Sequence, residues 1–143
     1  MKVRLKVKGY RRWHRFLPEK LREWLCRDKD KIIIHDSDTW NVDVQLAKII
    51  VPMLERYKEL TNGSPFIYEE DYPEHIKVEN GNIHEAWDYV LDEMIFAFKT
   101  IRDDSLEAFF EAGKVDREAY EAAKKRMFRG LEFFGKYYLG LWW

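Results

Sequence analysis

The order of apolar and polar positions changes part-way along the chain, from alternation to a helical spacing. Residues 3–7 alternate valine and leucine with arginine and lysine, which is the period-two pattern of a strand with one solvated face. Pro18 suits the first turn of a short helix, and the β-branched run at Ile32–Ile34 predicts a second strand. Residues 1–37 are therefore predicted to form a strand–helix–strand unit.

Residues 38–143 carry apolar side chains at spacings of three and four, which predict three long helices. The apolar stripe of the first helix is formed by Leu46, Ile49, Ile50, Met53, Tyr57 and Leu60. Pro52 lies inside this helix and predicts a kink or break near residues 49–51, because proline cannot donate to the carbonyl group of the preceding turn. A long acidic loop, residues 66–82, is predicted to follow.

The second predicted helix runs from about Ile83 to Arg102, and its pattern continues toward Gly113. The third begins after Asp116, a suitable N-cap residue, and continues almost to the end of the chain. These elements predict a single α+β domain over residues 1–143, in which three long helices pack with a small two-stranded sheet.

The second helix is predicted to bury one face and to hold an acid at the edge of that face. Its core stripe is formed by Ile83, Trp87, Val90, Leu91, Met94, Phe98 and Ile101. Glu93 projects on the flank, among small residues that suggest close contact with another helix. A carboxylate in such a contact needs a cation or a donor, and the candidates on the third helix are Arg126, Arg129 and Lys136.

The third helix is apolar over more than half of its circumference. Its central line is formed by Met127, Leu131, Phe134, Tyr138 and Leu141, and further apolar residues flank that line on both sides. Such a helix must be covered from several directions, by the sheet, by other helices or by a second subunit, and a homo-oligomer is the expected state. Gly130 and Gly135 each cost about 1 kcal/mol of helix stability relative to alanine, so they are predicted to mark places where another group approaches the helix backbone closely.

Composition narrows the class of protein. The net charge of −1 disfavours a nucleic-acid partner, although the first 24 residues are rich in lysine and arginine. Cys26 is the single cysteine, which favours a reducing compartment. The chain has no run of 18 apolar residues and no signal-peptide pattern, so a cytoplasmic protein without a membrane contact is expected. The aromatic content of 16%, with six tryptophans, suits a thick core or a stacking site.

Catalytic motifs and cofactor motifs are missing from the sequence, and no cofactor is predicted. His84, Asp88 and Asp92 share one helix face at a spacing that can bind a metal ion, but that face is predicted to be solvated, so no metal site is assigned. Asp36 and Asp38 follow the second predicted strand, where a turn and a helix N-cap explain them without chemistry.

Three blocks of the sequence resemble a widespread family of small tailed-phage proteins. The blocks are D-T-W-N-V-D-V-Q-L-A-K-I-I-V-P-M-L-E-R-Y-K from Asp38, W-D-Y-V-L-D-E-M-I-F-A-F-K from Trp87, and G-L-E-F-F-G-K-Y-Y-L-G-L-W-W from Gly130. The chain departs from the family pattern at Asn41–Gln45, where the family carries a hydroxyl residue at the position of Gln45. Most members of that family have no assigned activity, so the resemblance implies a phage source rather than a reaction.

The leading hypothesis is a non-enzymatic counter-defence protein that sequesters a nucleotide-like signalling molecule in the host cytoplasm. Aromatic residues would stack on the base and helical cations would meet the phosphates. The candidate ligand-binding residues are Trp40, Asp43, Glu93, Arg129, Lys136, Tyr137 and Trp142.

Two alternatives are kept. The first is an inhibitor that binds a host protein through exposed aromatic residues and the acidic loop at Tyr68–Tyr72. The second is a carboxylate-dependent nucleotide hydrolase that would use Asp36, Asp38 or Asp43 together with Glu93.

Overall fold

The computed structural model describes residues 36–78, 83–110 and 116–142. The chain divides into two compact units, Met1–Trp40 and Asn41–Trp143. The described part of the first unit is one turn of 3-10 helix, Asp36–Thr39, in which the Thr39 hydroxyl donates to the carbonyl oxygen of Asp36 at 2.6 Å. Asp38 is buried within that turn.

The predicted α+β fold class is wrong, because the architecture is helical. The second unit is built from α1 (Val42–Leu60), α2 (His84–Arg102) and α3 (Arg117–Tyr137), and the described ranges contain no strand. The apolar faces of these helices cover one another, so the core closes without a sheet. Both predicted strands and the short helix at Pro18 fall within residues 1–35, which lie outside the described residues.

Helix α2 is the central helix of the second unit, and it packs against both α1 and α3. The predicted core stripe is confirmed for Trp87, Val90, Leu91, Met94 and Phe98, which are all buried, while Ile83 and Ile101 of that stripe are partly buried against the same core. Ala86, Ile95 and Ala97 are buried as well, so α2 is covered on more than one side. This arrangement places Glu93, on the flank of the stripe, in the contact between α2 and α3.

The buried face of α1 differs from the predicted one. Ala47, Val51 and Leu54 are buried, whereas Leu46 and Met53 of the predicted stripe are 49% and 59% exposed. The observed face is rotated by about one residue, or 100°, from the predicted face. A kink or a break was predicted near Pro52, and the break is wrong, because α1 is one continuous helix with an exposed proline inside it; the kink stays a prediction.

Helix α3 begins as predicted. The Asp116 carboxylate caps the helix by accepting from the backbone N–H of Ala119 at 3.0 Å. The buried face is centred on Gly130, Phe133 and Tyr137, a flank of the predicted central line, while Tyr138 of that line is 60% exposed.

The loop between α1 and α2 is part of the core. Ile67 and Ile76 are buried in it, and Glu69–Asp71 forms a short 3-10 turn between them. The two isoleucines hold residues 61–78 against the helices, so the acidic turn is fixed beside α3 rather than free in solvent.

Candidate functional site

Glu93 is the buried centre of an ion cluster between α2 and α3. The residue is 3% exposed. Oε1 accepts from Nε of Arg126 at 2.9 Å, with Nη2 of the same guanidinium at 2.8 Å. Oε2 accepts from Arg129 through Nε at 3.2 Å and Nη2 at 2.5 Å. Both oxygens of the buried carboxylate are therefore matched by cationic donors, which burial demands.

Glycine on α3 and aromatic residues on α2 allow this ion cluster to fit at the contact between the two helices. A Cβ built on Gly130 would lie 2.1 Å from the carbonyl oxygen of Glu93, so only glycine permits this approach of α3 to α2. The arginines lie over aromatic rings of α2, with the Arg126 guanidinium 3.9 Å from the ring centre of Phe96 and Arg129 5.8 Å from that of Tyr89. The close approach predicted for Gly130 is confirmed.

The predicted partners of Glu93 are confirmed for Arg126 and Arg129. Lys136, the third candidate, instead contacts the acidic turn, with Nζ 2.6 Å from Oδ2 of Asp71 and 3.6 Å from Oε1 of Glu70. Its Nζ also lies 4.3 Å from the ring centre of Tyr68. The hydrogen bond to Asp71 raises the pKa of Lys136 above its usual value.

Asp71 joins the loop to α3 through a second residue, Tyr137. The Tyr137 hydroxyl donates to Oδ2 of Asp71 and accepts from the backbone N–H of Tyr68 at 3.3 Å. Burial, together with the bond to Asp71, raises the pKa of Tyr137 above its usual value. The two hydrogen bonds of Tyr137 and the two contacts of Lys136 therefore fix the acidic turn beside the last turns of α3.

An open cleft of about 560 Å³ lies between the acidic turn, α2 and α3. We call it the tyrosine–cation cleft, and it combines two tyrosine rings, two cations, three carboxylates and two apolar residues. Its lining consists of Glu70, Asp71, Tyr72, Pro73, Tyr89, Arg129, Glu132, Phe133 and Lys136. Its volume falls in the range of small-molecule binding sites.

Partial burial and hydrogen bonding shift the pKa values of two side chains that line the cleft, Tyr89 and Arg129. Burial, with the nearby Glu93 charge, raises the pKa of the Tyr89 phenol, so the hydroxyl stays neutral and can both donate and accept. Burial disfavours the charged guanidinium of Arg129, but its hydrogen bonds to Glu93 outweigh that effect and its pKa is raised. Arg129 and Lys136 are therefore firmly cationic.

The structure brings some of the predicted ligand-binding residues together and separates others. Arg129 and Lys136 line the tyrosine–cation cleft, Glu93 lies behind Arg129, and Tyr137 is joined to the cleft through Asp71. Each of these four belongs to one neighbourhood of the second unit.

The other three predicted ligand-binding residues lie elsewhere. Trp142 lines a separate cavity of about 230 Å³ with residues 62–65 and Gly140. Asp43 is exposed in the first turn of α1. Trp40 belongs to the first unit, where it is 86% exposed.

Sequence reasoning missed Tyr89, Asp71 and Glu132 as cleft residues. Glu132 could have been found, because Arg129, Glu132 and Lys136 stand at spacings of three and four on one helix face. Tyr89 is one turn before Glu93 and faces the same helix contact. No local sequence pattern points to Asp71 as a cleft residue, because its partner Tyr137 lies 66 residues away along the chain.

The face considered for metal binding makes other contacts. His84 Nδ1 lies 3.0 Å from the hydroxyl oxygen of Ser64, and Asp92 accepts from Nζ of Lys58 at 2.6 Å. Across the described residues, no group of three His, Cys, Asp or Glu side chains is arranged to hold a metal ion. Within the same ranges, no helix combines the length and apolar character needed to cross a bilayer.

Comparisons of the chain with protein-family models, with curated proteins and with solved structures found no match.

Proposed function

We propose that this protein binds and sequesters a nucleotide-like signalling molecule in the tyrosine–cation cleft, without converting it chemically. The observation that carries the proposal is the pairing of two tyrosines, Tyr72 and Tyr89, with two cations, Arg129 and Lys136, around one cleft. Aromatic rings stack on bases, and arginine and lysine donate to phosphate oxygens.

The geometry of Glu93 supports binding rather than hydrolysis. A general base must be free to take a proton from water or substrate. Both oxygens of Glu93 instead face guanidinium donors, at distances from 2.5 to 3.2 Å. Glu93 therefore positions Arg129 at the edge of the cleft, and a nucleotide should remain intact after long incubation with the protein.

The proposed setting is a phage protein acting in the host cytoplasm. The resemblance of three sequence blocks to small tailed-phage proteins motivates this setting. A phage protein that sequesters a nucleotide signal would weaken the host response that depends on that signal. Trp40, Asp43 and Trp142 have no part in the proposed cleft. Self-association, proposed from the apolar character of α3, is consistent with the exposure of Phe128, Tyr138 and Leu139, and native mass spectrometry would report the subunit number.

Titration calorimetry against a panel of cyclic and linear nucleotides tests the proposal. The wild-type protein should bind at least one of them, and Tyr89→Ala and Lys136→Gln should each weaken that binding about tenfold or more, the loss of one stacking or charged contact. Lys125→Gln is the matched control, because Lys125 is an exposed lysine of α3 that does not line the cleft. Absence of binding across the panel would refute the proposal.

A second candidate, an inhibitor of a host protein, is favoured by the surface of the acidic loop. Phe66 and Tyr68 are 75% and 49% exposed, with ring centres 5.2 Å apart, beside exposed Glu69 and Glu70. Exposed aromatic pairs are frequent binding anchors. A pull-down from host lysate separates the two functions, since an inhibitor should recover a stoichiometric protein that Phe66→Ser no longer retains, and a sequestering protein should recover none.

A further inference from the structure

We infer that the ligand of the tyrosine–cation cleft is a nucleotide that carries a single phosphate group and a base with a free amino group. The inference rests on the proposed function and narrows its ligand class. It is drawn from the charges that line the cleft and from the contacts that those charges already make.

The two cations of the cleft are partly occupied. Arg129 donates to Glu93 through Nε and Nη2, at 3.2 and 2.5 Å, and Nζ of Lys136 lies 2.6 Å from Asp71. A guanidinium has five N–H donors and an ammonium has three, so each cation keeps a few for a ligand. Their side chains are 47% and 31% exposed, which leaves those donors accessible. The number of remaining N–H donors suits one phosphate group rather than a chain of three.

Carboxylates outnumber cations around the cleft. Glu70, Asp71 and Glu132 line it against Arg129 and Lys136. Every additional phosphate of a ligand would bring negative charge toward three carboxylates in a partly desolvated site, where like charges repel more strongly than in water. Affinity is therefore expected to fall as phosphates are added, the reverse of the trend in a cation-rich site.

Glu132 supplies the reason for the amino group. Among the described residues, no hydrogen bond or ion pair engages its carboxylate, and the side chain is exposed at the cleft. A carboxylate only accepts hydrogen bonds, so its natural partner is an N–H donor of the ligand. The amino groups of adenine, cytosine and guanine are such donors, whereas unsubstituted purine, once its N9 is bonded to ribose, has no N–H donor.

Calorimetry with AMP, ADP and ATP in magnesium-free buffer tests the phosphate number. AMP should bind tightest, and ATP should bind at least about tenfold more weakly, a difference that calorimetry resolves easily. If ATP binds as tightly as AMP, the inference is overturned while the proposed function stands. If no nucleotide binds, the proposed function fails and the inference falls with it.

The role of Glu132 is tested by comparing AMP with purine riboside 5′-monophosphate, whose base has neither an amino group nor any other N–H donor. Wild-type protein should prefer AMP, and Glu132→Gln should reduce that preference and bring ATP closer to AMP. Glu121→Gln is the matched control, because Glu121 is an exposed glutamate of the same helix outside the cleft. Equal binding of the two monophosphates by the wild-type protein would overturn the assignment of the amino group to Glu132.

Discussion

The Glu93 carboxylate accepts hydrogen bonds from both neighbouring arginines, Arg126 and Arg129, and these bonds fix its position. Its carboxylate is almost fully buried, while the side chains of Arg126 and Arg129 remain 45% and 47% exposed. The pair of guanidinium groups would repel each other without the carboxylate between them. Removing one member of a buried ion cluster is therefore more harmful than removing a surface pair, because the remaining charges lose their partner.

We expect Glu93→Gln to lower the free energy of unfolding by about 2 kcal/mol, less than for a fully buried pair because the arginines are half exposed. Asp92→Asn is the control on the same helix. Asp92 also contacts a cation, Lys58 at 2.6 Å, but its side chain is 56% exposed. Exposed ion pairs contribute between about 0 and 1 kcal/mol. Urea denaturation measures both, and equal effects of the two substitutions would contradict the burial argument.

The Glu93 pairing could be predicted from the sequence because it depends on two helix patterns. The helical spacing of α2 places Glu93 at the edge of the core stripe, and the spacing of α3 places Arg126 and Arg129 one turn apart on one face. Lys136 does not pair with Glu93, because its partner Asp71 lies in a loop whose path no periodicity encodes. Loop contacts depend on the whole fold, so most of the cleft was not predictable.

At the scale of elements, the contact of α2 with α3 depends on Gly130. We expect Gly130→Ala to destabilise the protein by about 2 kcal/mol or more, since the added methyl group would overlap the backbone of α2 and force the helices apart. The atom it would meet, the carbonyl oxygen of Glu93, belongs to the backbone and cannot rotate away. Thermal and urea denaturation measure the loss.

Gly135 is the matched control for that substitution. Among the described residues, a Cβ built there meets nothing within 4 Å, so these ranges hold no close approach at Gly135. Alanine in a helix interior is favoured over glycine by about 1 kcal/mol, and Gly135→Ala should therefore stabilise the protein slightly. Destabilisation of similar size by both substitutions would show that helix packing at Gly130 is not the cause.

Helix α1 shows why the buried face of a helix can be misread. Its large apolar residues Leu46 and Met53 fall on the exposed side, whereas Ala47 and Val51, which are smaller, are completely buried. Small side chains let two helices approach closely, and a stripe chosen by size and hydrophobicity overlooks them. The predicted fold class is wrong for a different reason. Alternating residues near the N-terminus predict a sheet, but the helical core of the described residues closes without one.

At the scale of the whole molecule, two tyrosines and a lysine, Tyr89, Tyr137 and Lys136, hold protons more tightly in the folded state than in the unfolded chain. Burial raises the pKa of Tyr89 and Tyr137, and the bond to Asp71 raises that of Lys136. Unfolded tyrosine and lysine lose their protons near pH 10. Above that pH the folded state therefore binds more protons than the unfolded state, and the free energy of unfolding falls as the pH rises.

Tyr137 has the most strongly raised pKa of these groups, and its substitution tests the linkage. Tyr137→Phe removes the bond to Asp71 and should cost about 1 kcal/mol at pH 7. It should also reduce the loss of stability between about pH 9 and 11, because phenylalanine has no proton to release in the unfolded chain. The wild-type protein should be stable below this window and weaken through it.

Tyr138→Phe is the matched control, since Tyr138 follows Tyr137 in the sequence but is 60% exposed. Urea denaturation of the three proteins at several pH values between 7 and 11 gives the slopes. The control should follow the wild-type curve, while Tyr137→Phe should show a shallower fall. An identical fall in all three proteins would mean that the proton on Tyr137 does not stabilise the contact between the acidic turn and α3.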